Sequence, residues 1–208
     1  LHLSIRRQRQ MCIRDSYIDL SIDEFPLNLE NSTILLATEV GNWSSPLELG
    51  FDNYSFAKKR SISTNEFQPL LIVDIESNNN VTKNDVLLSQ NGLVGKVIFS
   101  GLYSAEIMLL HDVRSSVPIT SEKSKLHGNV RGSGIGRNGN IEFIKKTATY
   151  ELGEKLYTSG IAGIFPEGIL VGEIVTINDL TDSEYLEIEV SFIQSPLNQD
   201  FYLIYKNE

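Results

Sequence analysis

The 208-residue sequence contains a single cysteine, Cys12, and only three histidines. One cysteine forms neither an intramolecular disulfide framework nor a cysteine zinc site. The histidines, His2, His111 and His127, lack the i, i+3 or i, i+4 spacing that places two metal ligands on one helix face. We therefore expect neither a disulfide-stapled fold nor a metal centre.

Long apolar runs and positive charge are scarce as well. The densest apolar runs, "PLLIVDI" and "EIMLLHDV", are interrupted by Asp74 and by His111 and Asp112, so neither approaches the roughly 18 residues of a membrane-spanning helix. Lys and Arg number 18 against 27 Asp and Glu, a formal net charge of -9, which argues against binding of nucleic acid. Apolar residues still make up 41% of the chain, enough for a core.

Helical periodicity is confined to short stretches, whereas β-rich runs separated by turn signals dominate from residue 33 onward. The alternation is clearest in "YLEIEVSF", where Leu186, Ile188 and Val190 point to one face of a strand. Turns about every 8–12 residues favour an all-β fold, an antiparallel barrel or sandwich with little helix. The predicted strands are 33–40, 69–76, 85–90, 93–100, 105–112, 116–120, 128–132, 140–145, 154–160, 169–177, 185–193 and 201–206.

The segment "GSGIGRNG" has the spacing of a dinucleotide-binding motif through Gly134, Gly136 and Gly139. Such a motif binds pyrophosphate where its glycines join a strand to a helix, and here the strand-like run "NIEFIKK" follows. The pair Asn138 and Gly139 is typical of a two-residue hairpin turn. We interpret residues 132–140 as a hairpin tip, and we expect no cofactor.

Two further glycine-rich segments, "GLVGKV" and "TSGIAGIFPEGILVGEI", share a Leu-Val-Gly sequence followed by a charged residue. Glycine inside a strand marks a bulge, a close backbone approach or a barrel corner, and proline adds a fixed φ before the second strand. Both segments are therefore predicted to bend strands. The residues assigned this structural role are Gly92, Gly95, Gly160, Gly163, Pro166, Gly168 and Gly172.

Two alternative functions depend on residue types rather than on a motif. A double-barrel serine hydrolase would need a histidine, an acid and a serine to converge, and the candidates are His111, Asp112, Ser115, Ser116 and Ser159. The chain lacks the glycine-rich turn that builds an oxyanion hole in the barrel proteases, so we expect no catalytic residue. An extracytoplasmic carbohydrate-binding module would need exposed coplanar aromatic rings, and the one cluster is Trp43, Tyr54 and Phe56.

From about residue 71 to residue 205 the chain resembles the bacterial rod-shape-determining MreC family. The resemblance rests on "GLVGKV" (92–97), "LLHDVRSSVPI" (109–119), "GNVRGSG" (128–134) and above all "TSGIAGIFPEGILVGEIV" (158–175). It implies a non-enzymatic periplasmic scaffold of cell-wall elongation with two small β-barrel-like subdomains, anchored to the inner membrane by an N-terminal helix that this chain lacks. The partners it implies are the class B penicillin-binding protein of elongation, MreD, the MreB-linked complex and further copies of the chain, as a dimer or filament.

The resemblance also divides the chain. Residues 1–30 are expected to be a tail, partly foreign to the protein or a linker remnant, since "RRQRQMCIRDS" resembles translated adaptor sequence. Residues 31–102 are expected to form the first subdomain, with an insertion near 42–68, and residues 103–208 the second, with the last strands returning to the first. A scaffold binds through exposed apolar side chains or free strand edges, and we expect partner contacts at Ile164, Phe165 and Pro166.

Overall fold

The computed structural model describes residues 54–63, 65–77, 80–161, 163–179, 181, 183–193 and 198–207. Within these ranges the chain forms strands and turns, and no helix there is long and apolar enough to cross a membrane. The predicted all-β class is therefore confirmed. The strands are β1 (Tyr54–Ser63), β2 (Leu70–Ile75), β3 (Val86–Ser89), β4 (Gly92–Ser100), β5 (Ser104–Leu109), β6 (Ser116–Ser121), β7 (His127–Arg131), β8 (Gly139–Lys145), β9 (Lys155–Thr158), β10 (Leu170–Asp179), β11 (Tyr185–Phe192) and β12 (Phe201–Tyr205).

The strands close into two antiparallel barrels of six strands each. In the first barrel the order around the sheet is β1-β12-β3-β4-β5-β2, and in the second it is β10-β11-β8-β7-β6-β9. Alternation of buried and half-buried residues is regular along β2 and β5, as a half-buried strand requires. In β11 the buried residues Ile188 and Val190 lie on the face predicted from the sequence.

Two hydrophobic clusters fill the fold. One lies inside the first barrel around Leu71, Ile107 and Tyr202. The larger cluster, here called the shared core, combines first-barrel residues such as Leu93 with second-barrel residues such as Leu156. Burying one large aliphatic side chain contributes about 1.5–3 kcal/mol. Since the shared core contains buried residues of both barrels, both barrels contribute to its stability.

Two expectations about the subdomains need correction. The segment 54–63 falls in the predicted insertion, yet it forms β1, which pairs with β2 and β12. The boundary predicted between residues 102 and 103 lies too early, because β5 pairs with β2 and β4 and completes the first barrel. The closing strand β12 also belongs to the first barrel. The predicted strand 33–40 and the tail 1–30 lie outside the described residues.

Candidate functional site

The two Leu-Val-Gly segments each contain a β-bulge at the valine. In β4 the register with β3 skips Val94, because the residues on either side of it pair with consecutive residues of β3. In β10 the register with β9 skips Val171 in the same way. Both valines are buried. A bulge bends a strand and increases its twist, so the bend in each segment lies immediately before the glycine.

Gly92, Gly95 and Gly172 lie where a backbone carbonyl comes too close for a side chain. A Cβ atom on Gly92 would lie 2.3 Å from the carbonyl oxygen of Leu170. Cβ atoms on Gly95 and Gly172 would meet carbonyl oxygens of neighbouring strands at 2.2 and 2.5 Å. The contact between Gly92 and Leu170 joins β4 of the first barrel to β10 of the second. The two related segments therefore touch each other at the junction of the barrels.

The loop between β9 and β10 is a compact turn built on glycine. Gly160, Gly163 and Gly168 have φ angles of 71, 67 and 89°, a region that only glycine enters readily. The hydroxyl of Thr158 donates to the carbonyl oxygen of Pro166 and accepts a hydrogen bond of 2.9 Å from the N–H of Ile169. These bonds close the loop on itself.

The prediction that this loop presents Phe165 to a partner is wrong. Phe165 is only 3% exposed and belongs to the shared core, against which the half-buried Ile164 also packs. Pro166 is half-buried. The side-chain amide of Asn207 donates to the carbonyl oxygens of Ile164 and Asn84, at 2.6 and 3.0 Å, and ties the loop to the first barrel. Burial of the aromatic ring in the shared core explains the difference.

The glycine-rich loop at residues 132–139 packs against the loop of the first barrel that carries Glu66. A Cβ atom on Gly134 would lie 2.7 Å from the carbonyl oxygen of Glu66, and the same oxygen accepts a bond of 2.9 Å from the N–H of Ile135. The N–H of Gly134 donates to the carbonyl oxygen of His111 at 2.8 Å. Strand β8 follows directly, and Gly139 belongs to it, so the predicted Asn138-Gly139 hairpin turn is wrong. The connection spans residues 132–138, and these two amides bind protein carbonyls instead of a phosphate.

The residues considered for a hydrolase do not form a triad. Asp112 is fully buried, and its carboxylate accepts bonds of 2.8 and 2.9 Å from the backbone N–H and Nε of Arg114 and pairs with its Nη2. The Nδ1 atom of His111 has no partner, and its ring lies edge-on to Phe192 with centroids 4.8 Å apart. Burial lowers the pKa of His111. Asp112 and the His111 imidazole are not hydrogen-bonded to each other, and no hydrogen bond joins that imidazole to Ser115, Ser116 or Ser159, so these residues are not arranged as a serine-hydrolase triad.

Neither a metal cluster nor a sugar-binding platform is found in the part of the chain that the structure describes. No group of three or more His, Cys, Asp or Glu side chains there is arranged to hold a metal ion. Tyr54 and Phe56 are half-buried and pack against the shared core, and Tyr54 lies edge-on to Tyr205. Trp43 lies outside the described residues.

An exposed aromatic residue, Phe143, lies at a bulge in β8 that the sequence does not reveal. Two residues of β8, Glu142 and Phe143, face the single residue Glu187 of β11. Ile141 and Ile144 are both buried, whereas Phe143 is 79% exposed and has a φ of 59°. A bulky residue rarely adopts this left-handed conformation, and such strain is concentrated at functional sites.

Tyr185 completes an exposed aromatic surface with Phe143, here called the aromatic pair. The two rings lie edge to face with centroids 6.2 Å apart and an interplanar angle of 83°, and Tyr185 is 41% exposed. Strict alternation in "NIEFIK" would place Phe143 on the same buried face as Ile141. Only the alternation of β11, which points Tyr185 outward with Glu187, could have indicated part of this surface.

Comparison with known proteins identifies related chains. The family described as "Rod shape-determining protein MreC, barrel core" matches residues 61–205. The cell shape-determining protein MreC of Caulobacter vibrioides is 26% identical over 119 residues, which is 57% of this chain and 34% of that protein. The chain thus spans about a third of the length of this curated relative.

Solved structures show the same fold. The crystal structure of MreC from Pseudomonas aeruginosa superposes with a TM-score of 0.70 at 21% identity and covers 74% of this chain and 99% of that one. A complex between penicillin-binding protein PBP2 and MreC from Helicobacter pylori contains a chain with a TM-score of 0.56 at 22% identity, covering 74% of this chain and 98% of that one. These likenesses confirm the double-barrel architecture.

Proposed function

Because the chain belongs to the MreC family of rod shape-determining proteins, we propose that it is a non-catalytic scaffold that binds a peptidoglycan synthase during cell-wall elongation. The synthase is the class B penicillin-binding protein of elongation, and the relative from Helicobacter pylori, solved in complex with PBP2, supports this choice. The observation that carries the proposal is the exposed and strained Phe143 beside Tyr185.

Family membership supports the wider setting of this proposal. The scaffold works on the outer face of the inner membrane, held there by an N-terminal helix, and is linked to MreD and to the MreB cytoskeleton. Several copies act together. The aromatic pair then faces the compartment in which peptidoglycan is assembled.

Closure of the barrels decides how a partner is recognised. In each barrel every strand pairs with a neighbour on both sides, so the described strands leave no edge to which a partner strand could be added. Of the two expected modes of binding, exposed apolar side chains or free strand edges, the described strands therefore favour the first. Recognition must use side chains, and aromatic residues dominate the energetics of side-chain interfaces.

The aromatic pair has the properties of an interface anchor. Phe143 and Tyr185 project from neighbouring strands, so their backbones are fixed by the β8–β11 pairing before a partner arrives. A backbone that is already ordered loses little conformational entropy on binding. Burying a phenylalanine that is 79% exposed removes more apolar surface from water than burying any half-buried neighbour would.

The surroundings of the aromatic pair carry both charges: Lys145 lies opposite Tyr185 in the sheet, and Lys146 pairs with Asp179. Glu184 and Glu187 are exposed beside the aromatic pair on β11 and the preceding turn. A partner that buries the aromatic pair is therefore expected to present an apolar surface rimmed by both acidic and basic residues.

The proposal is tested by the affinity of the chain for the periplasmic part of the elongation penicillin-binding protein from the same organism, measured by biolayer interferometry. We expect Phe143→Ala to weaken binding at least tenfold, the effect of losing an anchor worth about 1.4 kcal/mol. The matched control is Phe99→Ala, which removes a phenylalanine that is 60% exposed on the first barrel and should leave affinity unchanged. Equal affinity of the Phe143→Ala variant and the parent chain would exclude the aromatic pair, and no binding by the parent would reject the scaffold function.

A further inference from the structure

A cleft on the second barrel, here called the polar cleft, lies between β11 and the loop that precedes β8. Its volume is about 370 Å³, within the roughly 300–1,000 Å³ of small-molecule sites. The residues that line it are Ser133, Gly136, Arg137, Asn138, Asn140 and Glu189. None of these residues has an apolar side chain, so the polar cleft does not suit an apolar ligand.

Hydrogen bonds between the lining side chains order the polar cleft before a ligand arrives. The side-chain amide of Asn138 donates to Oε2 of Glu189 at 2.9 Å, and that of Asn140 donates to Oγ of Ser133 at 3.2 Å. The hydroxyl of Thr176 on β10 also donates to Oε2 of Glu189, at 3.4 Å. A site whose groups are already ordered loses less conformational entropy on binding.

The same side chains keep further hydrogen-bonding capacity. Among the described residues, Oδ1 of Asn138, Oδ1 of Asn140 and Oε1 of Glu189 accept no hydrogen bond. Each amide nitrogen retains a second proton, and the hydroxyl of Ser133, which accepts from Asn140, retains its own proton to donate. The polar cleft therefore offers acceptors and donors side by side.

The charge of the lining favours a neutral ligand. The lining contains one basic side chain, Arg137, and one acidic side chain, Glu189. An anion would be repelled by Glu189 and a cation by Arg137, since like charges that face each other across a contact cost free energy. A hydroxyl group both donates and accepts hydrogen bonds. A neutral ligand with several neighbouring hydroxyls therefore matches the polar cleft.

One aromatic ring lies beside the polar cleft. The guanidinium of Arg137 lies over the ring of Phe67, 5.4 Å from its centroid, and Phe67 is 48% exposed. The N–H of Phe67 donates to Oδ1 of Asn65 at 3.2 Å, and its carbonyl oxygen accepts from the N–H of Val113 at 3.0 Å. A sugar has an apolar C–H face as well as hydroxyls, and an exposed ring packs against such a face. This single ring takes the place of the aromatic platform that the described residues lack.

We propose that the polar cleft binds a neutral sugar, which is hydrogen-bonded to Asn138, Asn140 and Glu189 and packs against Phe67. The choice of sugar rests on the proposed function, because a scaffold of cell-wall elongation works beside peptidoglycan strands, whose neutral sugar is N-acetylglucosamine. Binding exchanges hydrogen bonds with water for hydrogen bonds with the ligand, so we expect a dissociation constant on the order of 1 mM.

Titration of the isotopically labelled chain with chitotetraose, an oligomer of N-acetylglucosamine, tests the proposal by two-dimensional NMR. We expect the backbone amide signals of Asn138 and Asn140 to shift and to approach saturation at about 10 mM ligand. Asn140→Ala should raise the dissociation constant about fivefold, the effect of losing one net hydrogen bond. The matched control is Asn178→Ala, because Asn178 also bonds to a glutamate, Glu187 on β11, but lies outside the polar cleft. Its affinity for chitotetraose should equal that of the parent.

The proposal would be overturned by a parent chain whose signals do not shift with chitotetraose, by equal affinity of Asn140→Ala and the parent, or by an equal loss in the control. Maltotetraose, a glucose oligomer without acetamido groups, tests the source of the sugar. Tighter binding of maltotetraose than of chitotetraose would overturn the assignment to peptidoglycan. The dispersion of the NMR signals establishes that Asn140→Ala is folded, and Asn138→Ala replaces it if it is not, with the same expected loss.

Synthase binding separates this inference from the proposed function. Asn140→Ala should bind the elongation penicillin-binding protein with the affinity of the parent, and Phe143→Ala should retain chitotetraose binding. A parent that binds the synthase but not chitotetraose would overturn the sugar site alone. A parent that binds chitotetraose but no synthase would reject the scaffold function and support the sugar site.

Discussion

The strained backbone at Phe143 predicts that glycine is more stabilising than alanine at this position. Both Phe143→Ala and Phe143→Gly remove the aromatic ring, so the comparison isolates the backbone. At a φ of 59°, alanine incurs the left-handed penalty of about 1–2 kcal/mol, which glycine avoids. Glycine loses about 0.5–1 kcal/mol more chain entropy on folding. The balance favours the glycine variant by about 0.5–1 kcal/mol.

The sign of this difference is the test. At an ordinary strand position with negative φ, alanine would be the more stable variant by about 0.5–1 kcal/mol. The free energy of unfolding is measured for both variants in urea by far-UV circular dichroism. In a domain of this size, each kcal/mol also raises the melting temperature by about 2–4 °C. A more stable alanine variant would show that the backbone at Phe143 is not strained. The role of Phe143 in binding would then rest on its exposure alone.

Three further predictions concern the junction and two buried ionisable groups. Gly92→Ala should lower the free energy of unfolding, measured by urea titration, by more than about 2 kcal/mol, because the new Cβ would lie 2.3 Å from the Leu170 carbonyl oxygen. The control Gly136→Ala has open space around the new Cβ and should lower it by only about 1 kcal/mol. Burial alone would raise the pKa of Glu154, but hydrogen bonds from three backbone N–H groups hold this pKa below 4.5. Glu154→Gln should therefore destabilise the protein by about 1–3 kcal/mol at pH 7, and this difference should shrink as the pH falls below 4.5. A difference that stays constant across that range would contradict the expectation. Burial lowers the pKa of His111, so the unfolded chain binds the proton more tightly and the protein should lose stability below pH 6.5. The melting temperature of His111→Leu should therefore fall less between pH 7.5 and pH 5.5 than that of the parent.

The strand pattern was predictable from the sequence because most strands carry local signals. Each predicted strand from residue 69 onward overlaps an observed one, and the alternation of β11 gave its buried face correctly. The strand β1 was missed because its buried positions hold small residues, Ser55 and Ala57, while Lys58 and Arg60 lie outside. The composition of this segment predicts a polar insertion instead of a strand, because its interior residues are not large and apolar.

Features that depend on long-range pairing were beyond the sequence. The boundary after β5 follows from its pairing with β2 and β4, which no local signal records. The glycines of 132–139 serve a contact with Glu66, about 70 residues earlier in the chain. Bulges at Ile98 and Val94 reverse or shift the alternation on which burial predictions depend. Phe165, by contrast, is buried because its loop closes over the shared core, which its glycine-rich surroundings did not reveal.

The central claim is that the aromatic pair is the surface that binds the synthase, and hydroxyl-radical footprinting read by mass spectrometry tests it most directly. Phe99 and Tyr103 on the first barrel are exposed as well, so they serve as internal controls for Phe143 and Tyr185. Adding the elongation penicillin-binding protein to the dilute chain should protect Phe143 and Tyr185 from oxidation and leave Phe99 and Tyr103 reactive. Protection of Phe99 and Tyr103 by the synthase, with Phe143 and Tyr185 unchanged, would contradict the account.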